Sequence, residues 1–315
     1  MTIEIRPITE NLFLTAAKSL TWITEELPAP GAHDVVVQTQ TSAISIGSEL
    51  PRYCGTARTD RPVYYPESMG YENVGIVLAC GSAVQMVQRG DRVVAFYGQR
   101  TRAIVPETKV IVVPAGVSDA LAILAILTCD AAKGIRKLAP RPEEMALITG
   151  AGAMGLLTLF ILRAYGVAHV DMVEPRGERH ALARTLGARR VLHPQELALE
   201  DGAYAVAFEC SSRDAAFALL QQHMQANGRI CVTADGNIEP LTLTSAFHEK
   251  ELQLVASSDG WDYHRHAAWY FHEVQQRQTC LEQLFELQIP RDELISTFAE
   301  LAAGSIRPVK VLVRY

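Results

Sequence analysis

Cysteine is scarce and scattered. The 315 residues contain six, Cys54, Cys80, Cys129, Cys210, Cys231 and Cys280, with no C-x-x-C and no close pair. That spacing excludes a disulfide framework and a cysteine-rich zinc lobe, and predicts mostly buried, reduced thiols. No stretch stays apolar for the ~20 residues a membrane-spanning helix requires, and the N-terminal segment MTIEIRPITE carries charge where a secretory leader needs an apolar run. A cytoplasmic chain that engages no membrane is expected. A basic block is also missing. Lys and Arg total 29 against 35 Asp and Glu, so no positive field gathers nucleic acid, and a small-molecule partner is the default. With 49% hydrophobic and 20% charged residues the chain can bury a large core, and its length favours two domains.

What is present changes character along the chain. Up to about residue 120, short β-rich runs are broken by Gly and Pro, at Asp34 to Thr39, Asn73 to Leu78, Arg92 to Phe96, Ala103 to Val105 and Val110 to Val113, the pattern of a partly open β-barrel. Ala120 to Ala139 reads as helix. Met145 to Thr149 is then a continuous apolar run ending in glycines, as in a strand buried on both faces. Further buried strands are predicted at His169 to Val173, Ala205 to Phe208, Arg229 to Thr233 and Leu252 to Ala256. Helical stretches such as Glu178 to Leu186 and Arg213 to Met224 separate them, and that alternation indicates a doubly wound parallel sheet. A helix reaching Gln276, another at Arg291 to Ala303 and a strand at Pro308 to Val313 follow, and this last portion is expected to return to the barrel.

Gly150-Ala151-Gly152-Ala153-Met154-Gly155 fits G-x-G-x-x-G, directly after the apolar strand and before the helical run Leu156 to Arg163. Gly150 suits the tight turn, Gly152 a close approach of backbone to pyrophosphate, and Gly155 close packing of helix on strand. Glu174, at the end of the next strand, is placed to accept the ribose hydroxyls of a dinucleotide. Its charge favours NAD, while Arg176 and Arg179 are near enough to neutralise the 2′-phosphate of NADP. Asp171, inside that strand, reads as a satisfied structural residue.

With these pieces go Pro30-Gly31-Ala32-His33-Asp34-Val35-Val36-Val37, Met69-Gly70-Tyr71-Glu72-Asn73-Val74-Gly75, Gly90-Asp91-Arg92-Val93 and Val309-Lys310-Val311-Leu312-Val313. In this order and spacing they resemble the medium-chain dehydrogenase/reductases, the zinc-type alcohol dehydrogenase-like superfamily, nearly end to end. The resemblance implies an α/β protein. A GroES-like catalytic domain is expected over 1–119, a Rossmann dinucleotide-binding domain over 120–276, and a return to the catalytic domain over 277–315. Ser42-Ala43-Ile44-Ser45-Ile46-Gly47-Ser48-Glu49, followed by Gly70 to Gly75, is most similar to the branch that contains bacteriochlorophyllide a dehydrogenase.

The resemblance also implies where a catalytic zinc would be held. Here the first ligand position is Ser45 and the second Tyr71, and the third falls near Leu127, leaving Cys129 or Asp130 as candidates. A serine hydroxyl and a phenol of pKa ~10 are poor zinc ligands beside thiolate and imidazole, so no zinc is expected. The four-cysteine structural lobe is missing too, since Phe96 to Arg100 leads straight into Thr101 to Val105. His264, His266 and His272 read as solvated helix positions, with only His266 and His272 approaching one helical face.

Without a metal, a protein group must meet the oxyanion that hydride transfer creates. The positions that replace the ligands supply the candidates Tyr71, Ser45, Ser48, Glu49 and Glu72. Tyr71 is the first choice, as a phenol of lowered pKa or else a packing residue. Ser45 and Ser48 are carbonyl contacts or turn formers, and Glu72 is an acid or a loop anchor. Lys133 is either a contact for an anionic substrate group or a solvated side chain. Tyr53, Tyr64, Tyr65 and Tyr97 suggest a bulky or aromatic substrate, or simple packing. The function implied is NAD(P)-dependent hydride transfer between nicotinamide and an alcohol or carbonyl. The alternatives are a quinone or enoyl reductase, or an inactive NAD(P)-binding protein. Association of relatives through the edge strand of the nucleotide domain predicts a homodimer.

Overall fold

The structure is a computed structural model that describes residues 8–58, 64–197, 204–234, 239–277 and 279–315. The charged start of the chain, residues 1–7, lies outside the described residues. Strands in the first part are β1 (Ile8–Ala16), β2 (Ser19–Glu26), β3 (Asp34–Ile44), β4 (Glu67–Ser68), β5 (Asn73–Cys80), β6 (Arg92–Ala95), β7 (Arg102–Pro106) and β8 (Val110–Val112). The middle holds β9 (Met145–Thr149), β10 (His169–Val173), β11 (Arg190–Leu192), β12 (Tyr204–Glu209), β13 (Met224–Val232) and β14 (Gln253–Ala256), and β15 (Phe285–Pro290) and β16 (Lys310–Arg314) close the chain.

Packing divides the chain into two units, residues 1–125 with 284–315, and residues 126–283. The breaks fall a few residues after the 119/120 and 276/277 divisions read from the sequence. At the first break the run expected as one helix is two pieces, Asp119–Ile123, capped by the Ser118 hydroxyl on the Leu121 amide, and a helix at Ala125–Leu138.

In the first unit β15-β16-β3-β5-β6-β8 form one sheet, with β7 also on β3, and β2-β1-β4 a second. Alternate residues Val35 and Val37 of β3 are buried with Val77, Val93, Ala103, Val105 and Val110 in one core cluster, as period-two patterning requires. The β1–β2 hairpin and β15 were not anticipated. In the hairpin, Leu12 and Leu14 point into a second cluster with Ile44, Phe298 and Val311, while most of β2 is exposed, which leaves weak patterning to read.

In the second unit all six strands are parallel, in the order β11-β10-β9-β12-β13-β14. β9 and β12 sit centrally and read as unbroken apolar runs because both faces are covered. The helix Ala153–Ala164 buries Gly155 through Leu162. At about 1.5–3 kcal/mol for each large apolar side chain, that burial holds the helix N-terminus firmly at the end of β9. β13 starts at Met224, five residues before the predicted Arg229.

Candidate active site

The glycine turn is built by backbone constraints. Gly150 follows β9 with φ +86°, the left-handed region a side chain would strain, and its amide donates to Val173 O at 2.8 Å. Gly155 lies so close beneath the turn that a Cβ there would stand 1.9 Å from Gly150 O. Gly152 caps the helix without a side-chain acceptor, so the amides of the first turn have no side-chain cap. Above Gly152 the space is open, since a Cβ would meet only Arg179 Nη1, at 3.9 Å. Ala153 and Met154, in the first turn, are half-buried.

Glu174 is 4% exposed and braces this turn. Its Oε2 accepts the Ala151 amide at 2.7 Å and its Oε1 the Arg176 amide at 2.9 Å, and each oxygen has a second lone pair to offer. Arg179 Nη1 donates to Ala151 O at 3.4 Å, and Arg176 is exposed. A second brace escaped sequence reading. Glu209, fully buried at the end of β12, accepts the Ser211 amide at 2.7 Å and the Thr149 hydroxyl at 3.3 Å, and burial raises its pKa. Asp171 is satisfied by Arg189, Arg190 and the Tyr204 hydroxyl.

In the first unit, strand register assembles a polar cluster. β16 runs antiparallel to β3 with Val311 opposite Ile44, which sets Lys310 beside Ser45; β5 pairs Asn73 with Ser42, and Glu72 O accepts the Ala43 amide at 3.1 Å. Ser45 caps the helix Ile46–Cys54 through its backbone only. Glu49, one turn into the helix, reaches back to accept the Ser45 amide at 2.7 Å, and the serine hydroxyl turns inward. There Ser45 Oγ donates to Glu72 Oε1 at 2.6 Å, Tyr71 OH donates to Ser45 Oγ at 2.8 Å, and Ser48 Oγ lies 3.3 Å from Tyr71 OH. Lys310 Nζ closes the cluster, 2.7 Å from Glu72 Oε1 and 3.4 Å from Ser45 Oγ, with both charged side chains wholly buried. A cavity of about 220 Å³ adjoins, lined in part by Ser48, Glu49, Arg52, Glu67 and Tyr71.

The five candidates of the sequence thus meet in one place, and Lys310 joins them as a residue sequence reasoning did not single out. A lysine inside the otherwise apolar run Val309 to Val313 was the available signal. The lowered phenol pKa expected of Tyr71 is corrected: burial first, and the neighbouring Glu72, hold it well above the ordinary range. The tyrosine group also disperses. Tyr53 is 4% exposed and packs on Phe298 with ring centroids 5.3 Å apart, Tyr97 bonds Thr39 inside the barrel, and Tyr64 and Tyr65 are exposed.

Four residues of the second unit depart from, or sharpen, their expected settings. Lys133 lies over the Trp261 ring, 5.7 Å from its centroid. Cys129 is buried, donates to Trp261 O at 3.3 Å, and burial pushes its thiol up to about 12. Asp130 accepts the Tyr263 hydroxyl at 2.7 Å. His266 is buried rather than solvated, 3.0 Å from the Thr128 hydroxyl, and burial lowers its pKa to about 3, while His272 is exposed, so the two do not share a face. Among the described residues, no group of three or more His, Cys, Asp or Glu side chains is gathered in a way that could hold a metal ion.

Residues 31–115 match the alcohol dehydrogenase GroES-like domain family. The chain is 24% identical over 252 residues to the L-threonine 3-dehydrogenase of Anaeromyxobacter sp. (strain Fw109-5), covering 67% of this chain and 73% of that one. Its fold is similar to that of a putative zinc-binding dehydrogenase from Sinorhizobium meliloti 1021 bound to NADP, with TM-score 0.85, 18% identity, and 98% and 99% of the two chains covered. It is also similar to that of 2R,3R-butanediol dehydrogenase from Bacillus subtilis, with TM-score 0.83, 21% identity and the same coverage. The chain therefore carries an alcohol dehydrogenase GroES-like domain and has the fold of the medium-chain dehydrogenase/reductase, or zinc-type alcohol dehydrogenase-like, superfamily.

Proposed function

We propose that this chain is an NAD(P)-dependent oxidoreductase that moves a hydride between nicotinamide and an alcohol or carbonyl of a small molecule, and that it does so without catalytic zinc. The observation that carries the reading is the Gly150–Gly155 turn: a helix start with no side-chain cap, an open space over Gly152, and a buried acid at the end of the neighbouring strand. Amides at a helix N-terminus suit a diphosphate, and Glu174 retains lone pairs for ribose hydroxyls. Its carboxylate opposes a 2′-phosphate, so NAD is the preferred partner, with Arg176 and Arg179 as the groups through which NADP would be accepted. The bound nicotinamide would supply the hydride.

The superfamily implies a zinc ion, and the donor set does not fit one. Ser45 Oγ already joins Tyr71 and Glu72, and the Lys310 ammonium lies 3.4 Å from it. Zinc needs thiolate, imidazole or carboxylate donors, whereas this cluster offers a hydroxyl, a phenol held neutral by burial and a carboxylate already paired with a cation. These features support the zinc-free branch that contains bacteriochlorophyllide a dehydrogenase, with Ser45, Ser48, Glu49, Tyr71 and Glu72 on the substrate side.

We further expect a cytoplasmic homodimer formed through β14, the last strand of its sheet, where Gln253, Leu254 and Ala256 are exposed. Two measurements test the reading. Titration with NADH and NADPH should give saturable binding, stronger for NADH. Product analysis with ketones, enones and quinones should show carbonyl reduction that survives chelation. Reduction of enones or quinones alone would reassign the substrate, and binding without turnover would leave a nucleotide-binding protein.

A further inference from the structure

A dehydrogenase that lacks a metal needs a proton source for the oxygen of its substrate, and the hydrogen-bond directions in the buried cluster decide which residue that is. Lys310 can only donate, and Glu72, which it binds, can only accept. Ser45 Oγ therefore donates to Glu72, and Tyr71 OH donates to Ser45. The phenol proton is thus committed inward, away from any ligand. Ser48, 3.3 Å from both Tyr71 OH and Ser45 O, has no acidity of its own to offer.

Glu72 also has a buried second oxygen without a partner, but it is paired with Lys310 and lies outside the cavity lining, and in this Glu49 differs from it. Glu49 lines the cavity beside Ser48, Arg52, Glu67 and Tyr71, it is 3% exposed, and while Oε1 takes the Ser45 amide, Oε2 has no hydrogen-bond partner among the described residues. A buried carboxylate oxygen left bare is costly, whereas a carboxylic acid with its proton on Oε2 has a donor ready for a ligand.

We propose that Glu49 is the proton donor of the site, giving the proton on Oε2 to a substrate carbonyl oxygen bound in the cavity. This rests on the hydride-transfer reading above. In the reducing direction, hydride from the reduced nicotinamide forms the new C–H bond. The carbonyl π pair moves to oxygen, and that oxygen takes the Glu49 proton. Glu49 is left as a carboxylate that the Ser45 amide stabilises, and it regains a proton from water. Oxidation of the alcohol runs the same steps backwards, with the Glu49 carboxylate as base.

The charged and titratable groups around Glu49 fit this role. Burial raises its pKa to about 8, Glu72 adds to the rise, and Lys310 with the Ser45 and Gly70 amides opposes it. Arg52 on its own helix, Glu67 from β4 and Tyr71 from the loop before β5 share the cavity wall, and Tyr315 at the chain end also senses its charge. The group is protonated at neutral pH and still able to release its proton, which suits a general acid.

Infrared spectroscopy of the nucleotide-free protein tests the proton directly. A protonated-carboxyl carbonyl band should fade as pH rises through about 8 and be missing in Glu49→Gln, which keeps the cap acceptor for the Ser45 amide. With NADH and a reducible ketone, Glu49→Gln should slow reduction by about 10²–10⁴-fold at unchanged nucleotide affinity. Glu49→Asp, which keeps an acid, should retain part of the rate with a displaced pH profile. A band absent from the wild type, a band unaltered in Glu49→Gln, or a reduction rate indifferent to both variants overturns the proposal. Failure of the functional reading shows separately, as no binding of NADH or NADPH to the wild type, and that result overturns the catalytic role as well.

Discussion

At the glycine turn of the second unit, the groups offered to a ligand are backbone amides held in place by Gly150, Gly152 and Gly155. In the polar cluster of the first unit they are side chains, each tied to a neighbour except at the second oxygens of Glu49 and Glu72. The two designs fail differently. A backbone cradle tolerates any side chain that leaves its dihedrals and its open space alone, so its sensitivity is confined to three glycines and the two acids that brace them. A buried side-chain network has charge at its centre, and losing one member strands another away from water.

The largest effect should come from the network. Lys310→Met leaves Glu72 buried without its cation and should cost about 3–5 kcal/mol in denaturant unfolding, most of it recovered in the Lys310→Met/Glu72→Gln double variant. A loss within error of zero would mean that water reaches Glu72, and the contrast between the two regions would collapse. Next comes Gly155→Ala, whose Cβ must displace the Gly150 carbonyl now 1.9 Å from its position. A cost of about 1–3 kcal/mol should appear together with weakened nucleotide binding. Gly152→Ala, with open space above it, should weaken binding at nearly unchanged stability; equal destabilisation by both would erase the distinction between packing and cradle.

The pH dependence of stability separates Glu49 of the first unit from His266 of the second by sign. The folded pKa of Glu49 lies above its ordinary 4.5, so its contribution is full below that value and is lost as pH rises towards about 8. His266 behaves oppositely, because burial lowers its pKa from 6.5 to about 3, and stability falls as pH drops through that window. Melting curves across pH should flatten on the alkaline side in Glu49→Gln and on the acid side in His266→Gln. The smallest effect is that of Tyr71→Phe. It removes the donor to Ser45, and about 0.5–1.5 kcal/mol should register in the same unfolding assay, with NADH binding untouched. A change in nucleotide affinity would show that Tyr71 has a role its inward hydrogen bond does not suggest.

The same contrast explains what could be read before the structure. Strand β9, the three glycines, the following helix and Glu174 lie within one stretch of about thirty residues, the size of a single βαβ unit, so local pattern contains the whole arrangement. The cluster draws on residues 45, 71, 72 and 310, and its closing contact spans 265 positions. The pairings of β16 and β5 with β3 bring those positions together, and one-dimensional periodicity does not record strand register. Tyr71, Ser45 and Glu49 were reachable through the ligand positions they replace, but the direction of their hydrogen bonds was not. His266 was misjudged for a related reason, and for Tyr53 the choice between substrate contact and packing stayed open until its contact with Phe298 was seen. A polar or aromatic side chain on a helix gives little sign of which face it shares until its neighbours are in place.

β16 also orders the making of the protein. It lies between β15 and β3, so the sheet of the first unit stays open until residues 310–314 have emerged, while residues 126–283 form an uninterrupted unit able to fold before them. For the 238 positions that separate them, Glu72 awaits Lys310. The first unit is therefore the part a chaperone has longest to hold, and a chain interrupted before β16 has a finished second unit attached to a first unit whose sheet lacks the strand between β15 and β3.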